Sequence, residues 1–368
     1  MYIISKDTII FEPKYNEHLD INFISQYINL IYQYKKIIFS DYQLNESIYN
    51  AYENNIFNEF EWVGSKFNQE VNMLPPLLTH LTFGYYFNQE VANLPQLLTH
   101  LTFGYFFNQE VTKLPQLLTH LTFGTYFNQE VGKLPQLLTH LTFGCCFNKE
   151  VDLLPQLLTH LTFGYRFNQE VNLLPQRLTH LTFGFDFNQE VNLLPQLLTH
   201  LTFGQRFNQE VNLLPQLLTH LTFGYCFNQE VTKLPRQLTH LTLGYKFNKP
   251  NIYLPFGIKY LKLDCNNSHI NSHIIAQLSS NIEVLELDEN FNLELNDLPT
   301  LLKQIIFDKD SEYNKELNCL PKFVEQIQLP EYYNKQIKNL PSKLKKVICS
   351  PQYKYIEDFN NLEVVTYY

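Results

Sequence analysis

Nine of the twelve histidines fall on one strict spacing of 20 residues: His80, His100, His120, His140, His160, His180, His200, His220 and His240. Imidazole is a common metal ligand and titrates near neutral pH, so such a row suggests metal binding or pH sensing. A straight row of identical side chains, however, offers two ligands per ion and not the converging set that zinc takes. Adjacent imidazolium charges about 5 Å apart would repel by roughly 1 kcal/mol in water and several-fold more beside protein, so mostly neutral rings are expected at pH 7. A second row, Glu70 to Glu230 at the same spacing, resembles paired catalytic carboxylates, but nothing distinguishes one Glu from the next. An active site needs one asymmetric constellation with shifted pKa values. The Gly84-type residues recur once per repeat without the spacing of a phosphate loop. No Ser-His-Asp or Cys-His set stands out. The expectation is a non-catalytic protein with no cofactor and no assigned metal ligand.

The rows exist because the chain repeats. Phe-Asn-Gln-Glu-Val begins at Phe67 and returns every 20 residues to Phe227, with Lys149 in place of Gln in one copy. Each unit reads approximately FNQEVnlLPQLLTHLTFGyx. Within it Thr79 to Phe83 alternates as a strand does, with Leu81 and Phe83 facing one way and His80 and Thr82 the other. Gly84 is expected to end the strand in an unusual backbone turn, and the Asn88 side chain to bond open backbone groups in that turn. Pro95 favours an extended return path. A unit this short cannot bury its Leu, Phe and Val alone, so stacking must supply the core.

Eroded copies flank the regular ones. Downstream, Ile282–Leu287 reads as a strand, and Phe291-Asn292, Tyr313-Asn314 and Tyr333-Asn334 each precede a Leu-Pro; a final coil runs from Tyr353 to Thr366. Upstream, Lys36–Phe39 and Phe60–Gly64 are candidate strands, and Phe23–Tyr34 (with Phe23, Ile24, Tyr27, Ile28 and Ile31) has the spacing of a short amphipathic helix. The ends of a solenoid must differ from its middle. The expected organisation is an N-terminal cap at 1–66 with degenerate coils and the short helix, nine near-identical repeats at 67–246, and degenerate repeats with a C-terminal cap at 247–368.

The pattern FNxxVxxLPxxLxxLxFG resembles the FNIP repeat of amoebal proteins and their giant viruses, strongly over Phe67–Gly244 and weakly over much of the rest. It is also similar to short leucine-rich repeats, although Asn88 stands two positions later than their ladder asparagine. The resemblance implies a β-rich, leucine-rich-repeat-like solenoid with a single parallel sheet, short extended or turn-like returns and about 14 coils. Some members of the family begin with an F-box, which would make the chain a substrate adaptor of a ubiquitin ligase. Met1–Phe60 lacks the Leu-Pro opening and helical pattern of that element.

Composition narrows the partner. With a net charge of −9 and no Lys/Arg-rich run, nucleic acid is not expected. No stretch of about 18 apolar residues suggests a membrane span, and Met1–Lys14 does not read as a signal peptide. The six cysteines lack a fixed spacing, which implies neither a disulfide framework nor a zinc site and favours a reducing, intracellular setting, the host cytoplasm. The leading expectation is a protein-interaction scaffold, because a solenoid face suits extended recognition. The residues that vary between copies are the pair after each glycine, where Tyr and Arg favour interfaces. The candidate partner-binding set is His120, His140, His160, His180 and His200 on the sheet face with Tyr126, Tyr165, Arg166, Phe185, Asp186 and Arg206 beside it. A ubiquitin-ligase adaptor is the alternative, and a metal-binding histidine ladder a weaker one.

Overall fold

The computed structural model describes residues 2–5, 7–17, 19, 34–43, 48–55, 57, 61–231, 233–249, 252–264, 268–276, 278 and 281–367. The expected helix at Phe23–Tyr34 lies almost wholly outside the described residues. The chain divides into two units, Met1–Phe187 and Asn188–Tyr368.

In the first unit β1 (Tyr2–Ser5) pairs antiparallel with β2 (Thr8–Phe11). Strand β2 then pairs parallel with β3 (Lys36–Phe39), and β3 with β4 (His80–Thr82). From β4 the copies stack in strict register through β5 (His100–Thr102), β6 (His120–Thr122), β7 (His140–Thr142), β8 (His160–Thr162) and β9 (His180–Thr182), His opposite His and Leu opposite Leu. The second unit continues the pattern in β10 (His200–Thr202), β11 (His220–Thr222) and β12 (His240–Leu243). It then passes into the eroded strands β13 (Tyr260–Leu263), β14 (Val284–Leu287), β15 (Gln304–Phe307), β16 (Gln326–Gln328), β17 (Lys346–Cys349) and β18 (Glu363–Thr366), all parallel. Each unit is thus a β-solenoid. Its copied coils carry one short strand and return through turns instead of helices, as 20 residues and a mid-return proline require, whereas the longer coil between β13 and β14 returns through a helix at Ser268–Ala276.

The alternation read from the sequence sets the core. Leu81, Phe83, Phe87, Val91, Leu94 and Leu98 are buried in one coil, and their equivalents in the next. Phe83 and Phe87 stack at 3.6 Å between centroids, and Phe87 meets Phe107 of the following coil at 6.1 Å. The aromatic column thereby links within coils as well as between them.

Three local expectations change. Gly84 and its copies do not adopt positive φ; only Gly64 does among the glycines. They are glycines because successive coils touch there: a Cβ on Gly124 would sit 1.8 Å from the Gly104 carbonyl oxygen. Asn88 bonds across coils and not within its own turn. Its Oδ1 accepts the Asn108 backbone N–H at 2.9 Å, and Gln109 Nε2 donates to the Asn88 carbonyl and Oδ1. The shifted asparagine therefore still builds a ladder, which begins at Asn16 beneath Asn68. Finally, of the strand expected at Phe60–Gly64, Phe60 lies outside the described residues, and Glu61–Gly64 carry no strand, only an isolated bridge from Trp62 to Tyr42.

The first unit closes the N-terminal end of the exposed sheet face. A helix at Ile48–Asn54 lays Ile48 and Ala51 against Ile10, with Ile38, Tyr42, Tyr52 and Phe57 packed around them. Ile38 occupies the position that Thr82 takes in β4. Beside it, the Asp41 carboxylate accepts the Ser65 and Tyr85 backbone N–H groups at 2.6 and 2.7 Å, tying two successive turns together. Burial raises the Asp41 pKa and these two hydrogen bonds oppose the rise.

Candidate functional site

The sheet face opens at β4. His80 and Thr82 and their copies are half-buried on it, while the Leu between them points inward. In the first unit neighbouring imidazoles stack at 4.1–4.2 Å between centroids and within 9–12° of parallel from His80 to His180. In the second, His200, His220 and His240 do the same at 4.1 and 3.9 Å.

The threonine before each histidine sets its tautomer. Thr99 Oγ1 donates its single proton to the Thr79 carbonyl at 3.1 Å. It can then only accept at its 2.9 Å contact with His100 Nδ1. The network assigns the proton to Nδ1 and leaves Nε2 as a lone pair. Burial, then the neighbouring imidazoles His80 and His140 and the Lys36 ammonium, push the His100 pKa down to about 4. Burial and neighbouring rings lower His120 and His140 too; for His240 burial acts first, then His200 and Lys259. These four rings are therefore neutral acceptors at pH 7. Parallel rings hold their lone pairs parallel, so adjacent histidines do not converge on one ion. Among the described residues no group of three or more His, Cys, Asp or Glu side chains is placed to hold a metal.

The pair after each glycine forms the lip of this face. Its backbone is part of the ladder: Phe106 N–H donates to the Tyr85 carbonyl at 3.0 Å and Tyr126 N–H to the Tyr105 carbonyl at 2.9 Å. Side chains stack accordingly. Tyr85 meets Tyr105 at 4.5 Å, Tyr86 meets Phe106 at 5.5 Å, and Phe106 meets Tyr126 at 5.3 Å. Trp62 adds its ring to Tyr85 at 5.0 Å, edge-on. Trp62 is 52% exposed, and Tyr86 and Tyr126 are each 45% exposed.

The predicted site residues separate on this map. His120, His140, His160 and His180 lie on the face of the first unit, with Tyr126, Tyr165, Arg166, Phe185 and Asp186 on its lip. Tyr165 stacks on Phe185 at 4.5 Å, and Tyr165 and Arg166 are exposed. His200 and Arg206 belong to the second unit, Arg206 exposed on its lip. Tyr126 joins the continuous aromatic group that includes Trp62, Tyr85, Tyr86, Tyr105 and Phe106. The sequence reading counted Tyr85-Tyr86 and Tyr105-Phe106 among the variable pairs after glycine but drew its candidate set from later coils, and it left Trp62 out. The run of three consecutive coils with aromatic residues after glycine was the signal for placing the candidates there.

Beyond β12 the face changes character. Tyr260 donates its hydroxyl to Glu286, which also pairs with Lys262 Nζ at 2.5 Å. In the row that threonine held, Lys259, Glu283, Lys303, Glu325 and Lys345 alternate in sign. Ion pairs join Lys259–Glu283 at 3.6 Å, Lys303–Glu283 at 2.6 Å and Lys345–Glu325 at 2.7 Å.

In-register parallel strands, turn-built returns and an asparagine ladder define a leucine-rich-repeat-like β-solenoid. The FNIP repeat matches residues 67–106, 107–146, 147–186 and 187–226, each match spanning two coils. Residues 67–226 are thus FNIP repeats, and the fold is of leucine-rich-repeat type. CroV588, described as a novel circular LRR protein and coming from the giant virus CroV, is 34% identical with a TM-score of 0.69. The alignment covers 96% of this chain and 58% of CroV588, so the chain spans little more than half the length of that relative. YopM from Yersinia enterocolitica is 17% identical over 86% of this chain and 74% of its own, with a TM-score of 0.44. The InlJ functional domain from Listeria monocytogenes is 17% identical over 75% and 63%, with a TM-score of 0.43. No curated protein matches the chain.

Proposed function

We propose that this protein is a non-catalytic scaffold that binds a protein partner through the His/Thr face of its copied coils and the aromatic lip beside it, in the host cytoplasm. The observation that carries the reading is the continuous group Trp62, Tyr85, Tyr86, Tyr105, Phe106 and Tyr126. Copied coils keep their core and ladder residues identical, yet here the variable positions converge on exposed aromatic rings. Aromatic side chains give large contact area at low entropic cost and dominate interface energies. The face next to them has the neutral His100, His120 and His140 rings at pH 7, so partner docking there does not have to desolvate imidazolium charge. The described cysteines are free thiols, which is consistent with a reducing compartment.

Site-directed photo-crosslinking tests this. A photoreactive phenylalanine analogue at Tyr126 should capture the partner from host-cell lysate, while the same analogue at the exposed return-side Leu153 should not. Capture from Leu153 and not from Tyr126 would move the binding surface to the opposite side of the coil.

A further inference from the structure

One coil interrupts the aromatic lip with two adjacent thiols, Cys145 and Cys146. Both are free and half-exposed, at consecutive positions of one turn. The backbone beneath them is locked on both sides: Cys146 N–H donates to the Thr125 carbonyl and Arg166 N–H to the Cys145 carbonyl, each at 2.8 Å. Two thiols thus branch from neighbouring residues of one rigid turn. Adjacent Cα atoms lie about 3.8 Å apart across a trans peptide, and none of the described peptide bonds is cis. A disulfide needs Cα atoms roughly 4.4–6.8 Å apart. Direct oxidation would have to bend the turn and break the two ladder bonds, so the pair stays a dithiol. Inserting a third atom enlarges the ring and relieves that restriction.

The geometry points to Cys145–Cys146 as a chelating site for a pyramidal, thiophilic centre, of which trivalent arsenic is the type. A linear two-coordinate cation needs its sulfurs on opposite sides, whereas a pyramidal centre takes two from one side, as neighbouring residues of a single turn can offer them. Burial, the neighbouring Cys146 and Asp186 push the Cys145 pKa up and Arg166 only partly offsets them, so the thiol meets the ligand with its proton in place. With an arsenoxide, R–As=O, two As–S bonds form as the As–O bonds break. The two thiol protons leave with the oxygen as water, and no electron is transferred.

Phenylarsine oxide added to the full chain, read by intact mass and by loss of thiols reactive toward a chromogenic disulfide, is the test. One equivalent should bind at Cys145–Cys146 and remove two reactive thiols, and a small competing dithiol should reverse it. C145S and C146S should each abolish that binding, while C226S and C319S leave it unchanged. All four variants should melt within a few degrees of the parent, which separates loss of the site from loss of the fold. Unchanged binding in C145S or C146S, or no stoichiometric binding by the parent, overturns the assignment. Ready formation of a Cys145–Cys146 disulfide in peroxide, seen in the peptide map, overturns the claim that the turn keeps the pair reduced.

Discussion

Gly124 rests on the carbonyl oxygen of Gly104, with room for a hydrogen and nothing larger: a Cβ there would lie 1.8 Å from that oxygen and 2.4 Å from its carbon. The obstacle is backbone, which cannot swing aside as a side chain can. Gly124→Ala should therefore destabilise by about 3 kcal/mol, the upper part of the range for overpacking. Gly132 is the internal control, since its Cβ would meet only Leu153 Cδ1 at 3.4 Å. Gly132→Ala should stay within about 0.5 kcal/mol. Chemical denaturation of both variants checks the contrast.

The asparagine ladder makes a paired prediction. Asn108 Oδ1 accepts the Asn128 N–H at 2.9 Å and the Gln129 amide at 3.2 Å. Asn108→Ala strands a part-buried donor and should cost about 1–3 kcal/mol. In the next coil Lys149 replaces the glutamine and reaches only to Glu130, at 3.8 Å. Lys149→Gln restores the amide donor to Asn128 and should raise stability by about 0.5–1 kcal/mol. A melting temperature lower than the parent's would show that the lysine contributes more than the missing bond.

Tyrosines that replace the motif phenylalanine in the eroded coils behave differently from one another. Tyr333 donates its hydroxyl to the Lys315 carbonyl at 3.0 Å, and Tyr353 to the Lys335 carbonyl at 2.7 Å. The Tyr313 hydroxyl is buried without a partner. Tyr313→Phe should stabilise by about 1 kcal/mol and Tyr333→Phe destabilise by a similar amount. Equal effects of the two substitutions in a denaturant titration would contradict this difference.

Acid should loosen the histidine stack. The folded pKa of His100 is about 4 against 6.5 in the unfolded chain, and His120 and His140 are shifted in the same direction. As pH falls from above 6.5, the unfolded chain takes up protons that the folded rings refuse. Stability is thus complete above 6.5, declines as pH falls toward 4, and levels off for His100 below that. Replacing His100, His120 and His140 together with asparagine should flatten this part of the melting-temperature profile. Carboxylates titrate in both proteins, so the difference between the two profiles is the quantity to read. Identical profiles would mean that the stacked rings carry no linkage.

The sequence made the strand legible because alternation is local: Leu81 and Phe83 inward, His80 and Thr82 outward follow from two-residue periodicity alone. Stacking was legible because twenty identical residues must sit over twenty identical residues. What depended on contact between coils was not. The glycine row read as a turn requirement because a glycine's freedom is visible in one chain, whereas the approach of Gly104 to Gly124 is not. Asn88 read as a local turn former because its neighbour in space, Asn108, is twenty residues away. Trp62 read as part of a strand, yet its ring belongs to the aromatic lip. The tautomer of His100 needed Thr79 of the preceding coil, which no pattern within one repeat reveals.

The two kinds of ladder also differ in how they tolerate copying. In the copied coils, Lys149 apart, every ladder donor meets the same acceptor above and below. Deleting residues 108–127 would put Asn128 over Asn88 and His140 over His100 with no group left unmatched, so coils there can be gained or lost singly. The ladder from Lys259 to Lys345 alternates in sign and has a period of two coils. Removing residues 304–325 would bring Lys303 against Lys345, like charge against like. The copied stretch is thus free to change length one coil at a time, while the charged stretch can change only in pairs.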